Sequence, residues 1–276
     1  MRHDGGMKTD HYRIKPNAPV VLPDRPTDDA DGFNGTKAAA IERIEEQSSK
    51  LFDLQQVLYA DDRHKLLVVL QGMDTSGKDG TIKHVFKMVN PLGVRVSNFK
   101  RPNDVELEHD YLWRVHHNTP RNGEIAIFNR SHYEDVLVVR VHDLVPKDVW
   151  KKRFDHIRAF EQMLADEGTV ILKFFLHISK EEQGKRLLER LDNPAKHWKF
   201  EHGDIEERKY WDPYTEAYEE AISRTSTEDS PWYVIPSDKK WYRNLLISTV
   251  LVETLEGLGL HYPEPSADLV EIKIKG

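Results

Sequence analysis

The chain has 276 residues, 38% hydrophobic and 32% charged, with 40 basic and 47 acidic side chains and a formal net charge of −7. That is enough chain for a substantial core, and it excludes a collagen, a coiled-coil rod and a disulfide-stapled mini-protein. With no cysteine, thiol catalysis, zinc–cysteine sites and structural disulfides are excluded too, and the acidic average argues against a protein that coats nucleic acid, because counterion release needs a basic face.

Residues 1–33 mix Asp, Pro and Gly with little periodicity and read as a mobile or draped arm. Residues 1–62 hold more than half of the acidic excess. There is no apolar secretory core at the N-terminus and no run of the roughly 18 apolar residues a membrane span needs, so the expected setting is cytoplasmic, with no membrane partner. Between residues 37 and 59, Ile41, Ile44, Leu51, Leu54 and Leu58 keep helical spacing. Residues 65–71 (KLLVVLQ) are a continuous apolar run, as in a strand buried on both faces of a parallel sheet. A Gly-containing loop follows. A helix then begins near Gly77, with Ile82, Val85, Phe86 and Val89 on one face, and ends before Pro91.

Residues 94–99 alternate like a strand. Asn103 and Glu106 have capping-box spacing ahead of a helix carrying Leu107, Tyr111 and Val115. Residues 124–128 are a third strand, and a helix after Pro146 carries Trp150, Phe154, Ile157, Phe160 and Leu164. Residues 170–178 are a fourth strand, interrupted only by Lys173 and His177; Ser179 with Glu182 caps another helix. Residues 183–220 hold polar helical segments with no strand between them, the pattern of an excursion over the sheet edge such as a lid. Trp211, Tyr214 and Tyr218 within it read as core packing. Residues 232–236 are a fifth strand, and a last helix from about residue 238 stops at Gly257 or Gly259. Strands alternating with helices describe an α/β domain with a mainly parallel sheet.

Gly72, Asp74, Thr75, Ser76, Gly77, Lys78, Asp79 and Gly80 form a loop with Walker A spacing between a buried strand and a helix. Glycines let backbone N–H groups curl round phosphate oxygens, the helix N-terminus adds positive potential and the lysine adds a point charge. The plain alternative is an ordinary strand–turn–helix corner. Asp79 stands where the pattern has a hydroxyl ligand for magnesium. Asp74 would repel phosphate unless a cation lay between them, so it reads as a metal-side carboxylate or, alternatively, as an Asx turn. The third strand runs into Asn129 and Arg130, at the strand ends where open sheets bind ligands. Arg130 can clamp phosphoryl oxygens. Glu134 is a further candidate, or simply its i, i+4 partner. Lys100 and Arg101 follow the second strand and face the same edge, although two adjacent cations are commonly only solvated surface. Lys185, Arg186, Arg190, Lys196 and Lys199 make a local basic cluster around Trp198, suited to closing on a polyanion unless it is merely a solvated helix pair.

Taken together, these motifs resemble the second family of polyphosphate kinases. The likeness runs from about residue 61 to 258 and is carried by residues 72–80, 129–135 (NRSHYED), 192–199 (DNPAKHWK), 225–227 and 231–236. Many members have Asp where this chain has Asn129, and the Asn129…Glu134 form resembles the class III subgroup, which acts on nucleoside monophosphates as well as diphosphates. The resemblance implies a P-loop three-layer αβα sandwich with a mainly parallel five-stranded sheet and a helical lid. Residues 1–36 would be an arm, and residues 37–276 a kinase domain with its lid at about 183–220. It implies phosphoryl transfer between inorganic polyphosphate and AMP or ADP, giving ADP or ATP, with Mg2+ or Mn2+ and in a homo-oligomer, dimer or tetramer, without nucleic acid as partner. Lys78, Arg130, Asp74 and Glu134 would be catalytic, the last two on the metal side. The rest of the loop, Lys100, Arg101, Asn129 and the basic cluster would bind phosphate or nucleotide. An ATP-dependent nucleoside monophosphate kinase and a non-catalytic P-loop nucleotide- or polyanion-binding protein share many of these features.

Overall fold

The computed structural model describes residues 7–200 and 203–265. Five strands, β1 (Lys65–Gln71), β2 (Val94–Asn98), β3 (Ile125–Asn129), β4 (Thr169–His177) and β5 (Trp232–Pro236), form one all-parallel sheet in the order β2-β3-β1-β4-β5. β1 is central because both its faces are apolar. Leu66, Val68 and Leu70 pack into a core on one side, and Leu67 and Val69 into a separate core on the other.

The first of these cores is covered by α1 (Lys37–Asp61), α2 (Lys78–Val85) and, much later in the chain, a long C-terminal helix over Lys240–Gly257. The second is covered by α3 (Lys147–Asp166), through Phe154, Ile157 and Phe160, and by a helix over Trp211–Thr225, through Tyr218, Ala221 and Ile222. The helices of the later half are α4 (Lys180–Asp192), α5 (Trp211–Thr225) and α6 (Lys240–Gly257). Two helical layers on one sheet make the αβα sandwich. Ser179 Oγ accepts from Glu182 N at 3.0 Å and starts α4 where the sequence places its cap.

Three local readings need correction. The helix expected to carry Leu107, Tyr111 and Val115 is instead two single turns, Asp104–Leu107 and Trp113–His116. The capping box at Asn103 and Glu106 forms, but Asp110 Oδ1 accepts from Leu112 N at 2.9 Å, an Asx turn that ends the first piece. No α-helix starts at Arg130, and the first after it is the single turn Val138–Val141. His132–Val136 is a 3-10 turn, capped by Ser131 Oγ accepting from Tyr133 N at 3.2 Å. Gln183–Glu220 is also more broken than two helices, with 3-10 turns at Pro194–Lys199 and Arg208–Tyr210 and a short helix at Gly203–Glu207.

The N-terminal segment is draped over the sheet edge. Arg13 bridges Tyr233 of β5 in antiparallel sense, and Ile14 N donates to Trp232 O at 2.8 Å. Tyr12, Ile14, Val20 and Leu22 are buried. The residues before Met7 lie outside the described ones. Both polar interruptions of β4 find partners. His177 Nε2 lies 3.1 Å from Leu22 O and from Arg25 O, pinning this segment. Lys173 pairs with Glu161 and donates to Thr225 O at 2.7 Å. We expect Leu22→Ala to lower stability by about 3 kcal/mol through the lost burial and the cavity left behind. Urea unfolding checks this, and a change too small to measure would mean the segment is not part of the cooperative core.

Among the described residues, no helix is long and apolar enough to cross a membrane.

Candidate active site

The loop between β1 and α2 has one tolerable sequence at its turning points. Gly72 has φ +149°, and a Cβ there would stand 2.8 Å from Leu176 O. Gly77, at φ +106°, is the N-cap of α2, and a Cβ on it would overlap the Arg243 guanidinium. Thr75 and Arg130 take φ near +61° without being glycine, the kind of sparsely populated backbone that clusters at functional sites.

Lys78 lies in this loop, its Nζ donating to Gly72 O at 2.7 Å and Met73 O at 3.3 Å. Burial, and then the nearby Arg130, bring its pKa down to about 8. Register places the ends of β1 and β3 side by side, Leu70 opposite Asn129, so Arg130 reaches over the loop. Its Nη2 donates to Asp74 Oδ1 at 3.0 Å. Burial works against the Arg130 charge, but Glu134 and Asp74 outweigh it and hold the guanidinium above its usual pKa. The expected i, i+4 pair of Arg130 with Glu134 is thus replaced by an ion pair with Asp74, because the 3-10 turn does not keep α-helical spacing. Burial pushes the Glu134 carboxyl up against the opposing pull of Arg130, Lys78 and Gln71.

Two cavities meet here. One, of about 290 Å³, is lined by Gly72, Asp74, Arg130, Glu134, Tyr214 and Tyr218 among others. The second, of about 570 Å³, is bounded by Phe99, Lys100, Arg101, Tyr111, Arg114 and Arg153, and Arg130 and Glu134 line it as well. These two side chains, with Val138, are therefore the shared wall between a cleft at the β1–α2 loop and a larger cavity that combines apolar and cationic surface.

Of the residues singled out in the sequence, Asp74, Lys78, Arg130 and Glu134 come together. Asp79 and Asn129 form a neighbouring cluster. Asn129 Nδ2 donates to Asp79 Oδ1 at 3.0 Å and to Asn98 Oδ1 at 2.7 Å, and Lys199 Nζ lies 3.5 Å from Asp79 Oδ2. Burial raises the Asp79 pKa, but Asn129 and Lys199 outweigh it and hold the carboxyl below its usual range. Lys100 and Arg101 line the larger cavity as the sheet-edge rule implies.

The basic cluster does not converge on the cleft as one group. Arg186 is buried and braces the loop from behind, donating to Thr75 O and Ser76 O at 2.9 Å each and to Ser237 O at 2.6 Å. Arg190 pairs with Asp204 at 3.1 Å and Lys196 with Glu189 at 3.6 Å. Trp198 is 78% exposed with Lys199 over its ring. These cations already have partners within or beside the excursion.

The residue reading missed several cavity-lining groups. Trp211, Tyr214 and Tyr218 pack on the core as the sequence implies, and all three also line the loop-side cleft. Arg153 bonds Asp135 at 2.9 Å, and burial pushes the Asp135 carboxyl up to about 6 against the pull of Arg153 and Arg114. Gln71 was also passed over, though a lone polar residue ending an apolar strand was an available signal.

The comparisons with known proteins agree with this geometry. The family model described as Polyphosphate kinase 2 matches residues 35–260. A protein of Meiothermus ruber named AMP/ADP-polyphosphate phosphotransferase is 60% identical over 264 residues, 96% of this chain and 99% of that one. An ADP-polyphosphate phosphotransferase of Rhodopseudomonas palustris is 47% identical over 270 residues, 94% of this chain and 93% of its own length. The crystal structure of polyphosphate kinase 2 from Arthrobacter aurescens superposes with a TM-score of 0.92 at 39% identity, covering 97% of this chain and 98% of that one. A strand–loop–helix with Walker A spacing, a closely superposing fold and similarity along nearly the whole length have one explanation: the chain belongs to the polyphosphate kinase 2 family.

Proposed function

We propose that this protein transfers a phosphoryl group between inorganic polyphosphate and AMP or ADP, forming ADP or ATP, in either direction. The observation that carries the reading is the shared wall of Arg130 and Glu134 between the loop-side cleft and the larger cavity. A donor held on the loop and an acceptor held in the other cavity would meet there. The polyphosphate names of the Meiothermus and Rhodopseudomonas relatives favour polyphosphate over ATP as the donor.

Phosphoryl transfer needs positioning and charge neutralisation more than covalent chemistry. Lys78 and the backbone N–H groups of the loop hold the phosphates. Arg130 stabilises charge on the transferring group, and Asp74 fixes the orientation of that guanidinium through their ion pair. Glu134, with its raised pKa, is placed to accept a hydrogen bond or a proton from the incoming acceptor phosphate. The cavity lined by Phe99, Tyr111, Lys100 and Arg101 offers aromatic surface and cations for a nucleotide. The excursion over residues 183–220 acts as a lid, with Lys199 reaching Asp79 at the start of α2.

The donor set fits magnesium or manganese. Asp74 and Glu134 offer hard oxygen atoms on one cleft, near enough to Lys78 to act on its charge, and magnesium usually takes one or two carboxylates together with substrate phosphates. Among the described residues no three His, Cys, Asp or Glu side chains form a cage by themselves, which suits an ion carried in with the phosphates. Bound there, it would neutralise the charge of two polyanions brought together. Dimeric or tetrameric assembly and a cytoplasmic setting belong to the same reading and rest on the family membership.

The test is purified protein with long-chain polyphosphate, magnesium and either AMP or ADP as the only nucleotide. Formation of ADP and ATP is expected. Absence of both, in protein that still binds nucleotide, would sink the proposal. For Glu134→Asn we expect a larger loss of kcat/KM with AMP than with ADP, by roughly ten-fold as for a single lost charge-assisted hydrogen bond. Equal losses would remove Glu134 from acceptor selection.

A further inference from the structure

A second arginine lies beneath the phosphate-binding loop with Arg186. Arg243, in the first turn of α6, is 2% exposed. Its Nη1 donates to Ser76 O at 3.2 Å, and its Nε and Nη2 donate to Asn244 Oδ1 at 3.1 and 2.9 Å. The guanidinium lies flat against the loop's glycines. A Cβ on Gly77 would overlap Nη1, and one on Gly80 would stand 3.4 Å from Nη2.

Arg186 has a carboxylate partner, Glu182, at 2.8 Å. Arg243 forms no ion pair among the described residues. Three features make its position unfavourable for a cation: burial, the like charge of Arg186, and the N-terminal turn of α6, whose dipole favours anions. Burial and Arg186 together bring its pKa down to about 9. An apolar side chain of similar volume would fill this space without those penalties. Ser76 O would keep a partner in Arg186, so holding that carbonyl does not account for a second arginine. What remains is the rest of the loop, whose Gly72, Met73 and Asp74 line the cleft.

We propose that Arg243 is a positioning residue for the phosphate chain: its charge, fixed against the back of Gly77 and Gly80, is neutralised by the polyanion held on the front of the loop. This rests on the reading of that loop as the polyphosphate site. The free protein holds an uncompensated buried charge, and binding of the polyanion relieves it. Discrimination for a highly charged donor is thereby built into the scaffold behind the contact residues.

The experiment compares Arg243→Met, Arg243→Lys and Lys78→Ala with the unmodified full-length chain. Tm is measured with and without polyphosphate of defined length plus magnesium, and kcat and KM are measured with ADP as acceptor. For Arg243→Met the expected result is a free-protein Tm equal to or above the original and a smaller rise on adding polyphosphate. KM for polyphosphate should increase roughly ten-fold, as for one unit charge several ångströms away at intermediate dielectric, with KM for ADP nearly unchanged. Arg243→Lys should recover most of the polyphosphate KM. A lowered free-protein Tm with an unchanged polyphosphate KM would overturn the proposal in favour of packing alone, as would equal KM values for the Met and Lys variants. If the Met variant does not fold, Arg243→Gln takes its place, and a Gln variant matching Lys in polyphosphate KM overturns the proposal. Lys78→Ala separates the two levels. If polyphosphate still stabilises that variant fully, the reading of the loop fails. If Lys78→Ala loses the stabilisation while Arg243→Met keeps it, the role of Arg243 alone fails.

Discussion

Lys78→Ala is expected to lower kcat by roughly 10²–10³-fold, the scale of removing one preorganised charge donor from a transition state, while leaving the fold intact. Among the described residues the ammonium has no carboxylate in hydrogen-bond contact. It donates to Gly72 O and Met73 O, and both residues line the cleft, so water can reach the loop after truncation. Steady-state turnover with polyphosphate and ADP, together with a thermal melt, checks both halves of the expectation. Turnover within two-fold of the original would remove Lys78 from the mechanism. The same lysine sets an alkaline limit. It acts as a cation, and burial with Arg130 nearby brings its pKa down to about 8. Raising the pH through that value discharges it, so kcat/KM, which reports groups of the free enzyme, should fall with a midpoint near 8. Bound phosphate favours the charged form, so the corresponding fall in kcat should come at higher pH. A profile flat to pH 10 would contradict the assignment.

Arg130→Lys should be at least as damaging, with a loss of about 10³-fold in kcat for either acceptor, the lower end of what a transition-state arginine contributes to phosphoryl transfer. Charge is retained in this variant, so the expected loss tests geometry. The planar fork holds Asp74 at 3.0 Å while it also faces Glu134 across the shared wall of the two cavities. An ammonium on a flexible stem cannot make that arrangement in one orientation. A second consequence concerns Glu134. Arg130 is the strongest influence opposing the burial that raises its pKa. With that influence weakened, the carboxyl should titrate at still higher pH and the acidic limb of the rate profile should move upward. Turnover above about a third of the original, with an unmoved acidic limb, would show that the fork is not what the site uses.

Four strands were legible in the sequence because they are buried on both faces, which leaves apolar runs at β1, β3 and β5 and an apolar run interrupted at Lys173 and His177 in β4; β2, a more exposed edge strand, was legible from its alternation. The helices that cover it kept their periodicity, as with Trp150, Phe154, Ile157, Phe160 and Leu164, all buried on α3. Where strand ends and loops decide the geometry, sequence spacing was a poorer guide. Asp74 and Arg130 are far apart in the chain and meet because β1 and β3 are neighbours in register. Glu134 was measured in α-helical turns that the positive φ of Arg130 and the Ser131 cap do not allow. The basic cluster looked uniform as composition, yet Arg186 turns inward to backbone carbonyls while Arg190 and Lys196 turn to carboxylates. A count of charges does not contain that difference. Tyr214 shows the converse: one face packs on the core and the other lines a cleft, so its helical spacing was read as core alone.

The bridge between Arg13 and Tyr233 has a consequence for how the chain reaches its native state during synthesis. β1, the central strand, emerges from the ribosome well before β3 and β4, which must flank it, and the segment around Ile14 and Leu22 waits longer still for β5. Until residue 236 is made, the stretch at Arg13 and Ile14 has no β5 edge to pair with and stays open to solvent or to a holding chaperone. Closing so long a loop adds little to its entropic cost beyond that of a loop half its length, but such non-local pairing is slow. Docking of the first-made segment is therefore placed among the last folding events. A nascent chain stalled before β5 would be a protease-sensitive intermediate with its central strand already buried on one side.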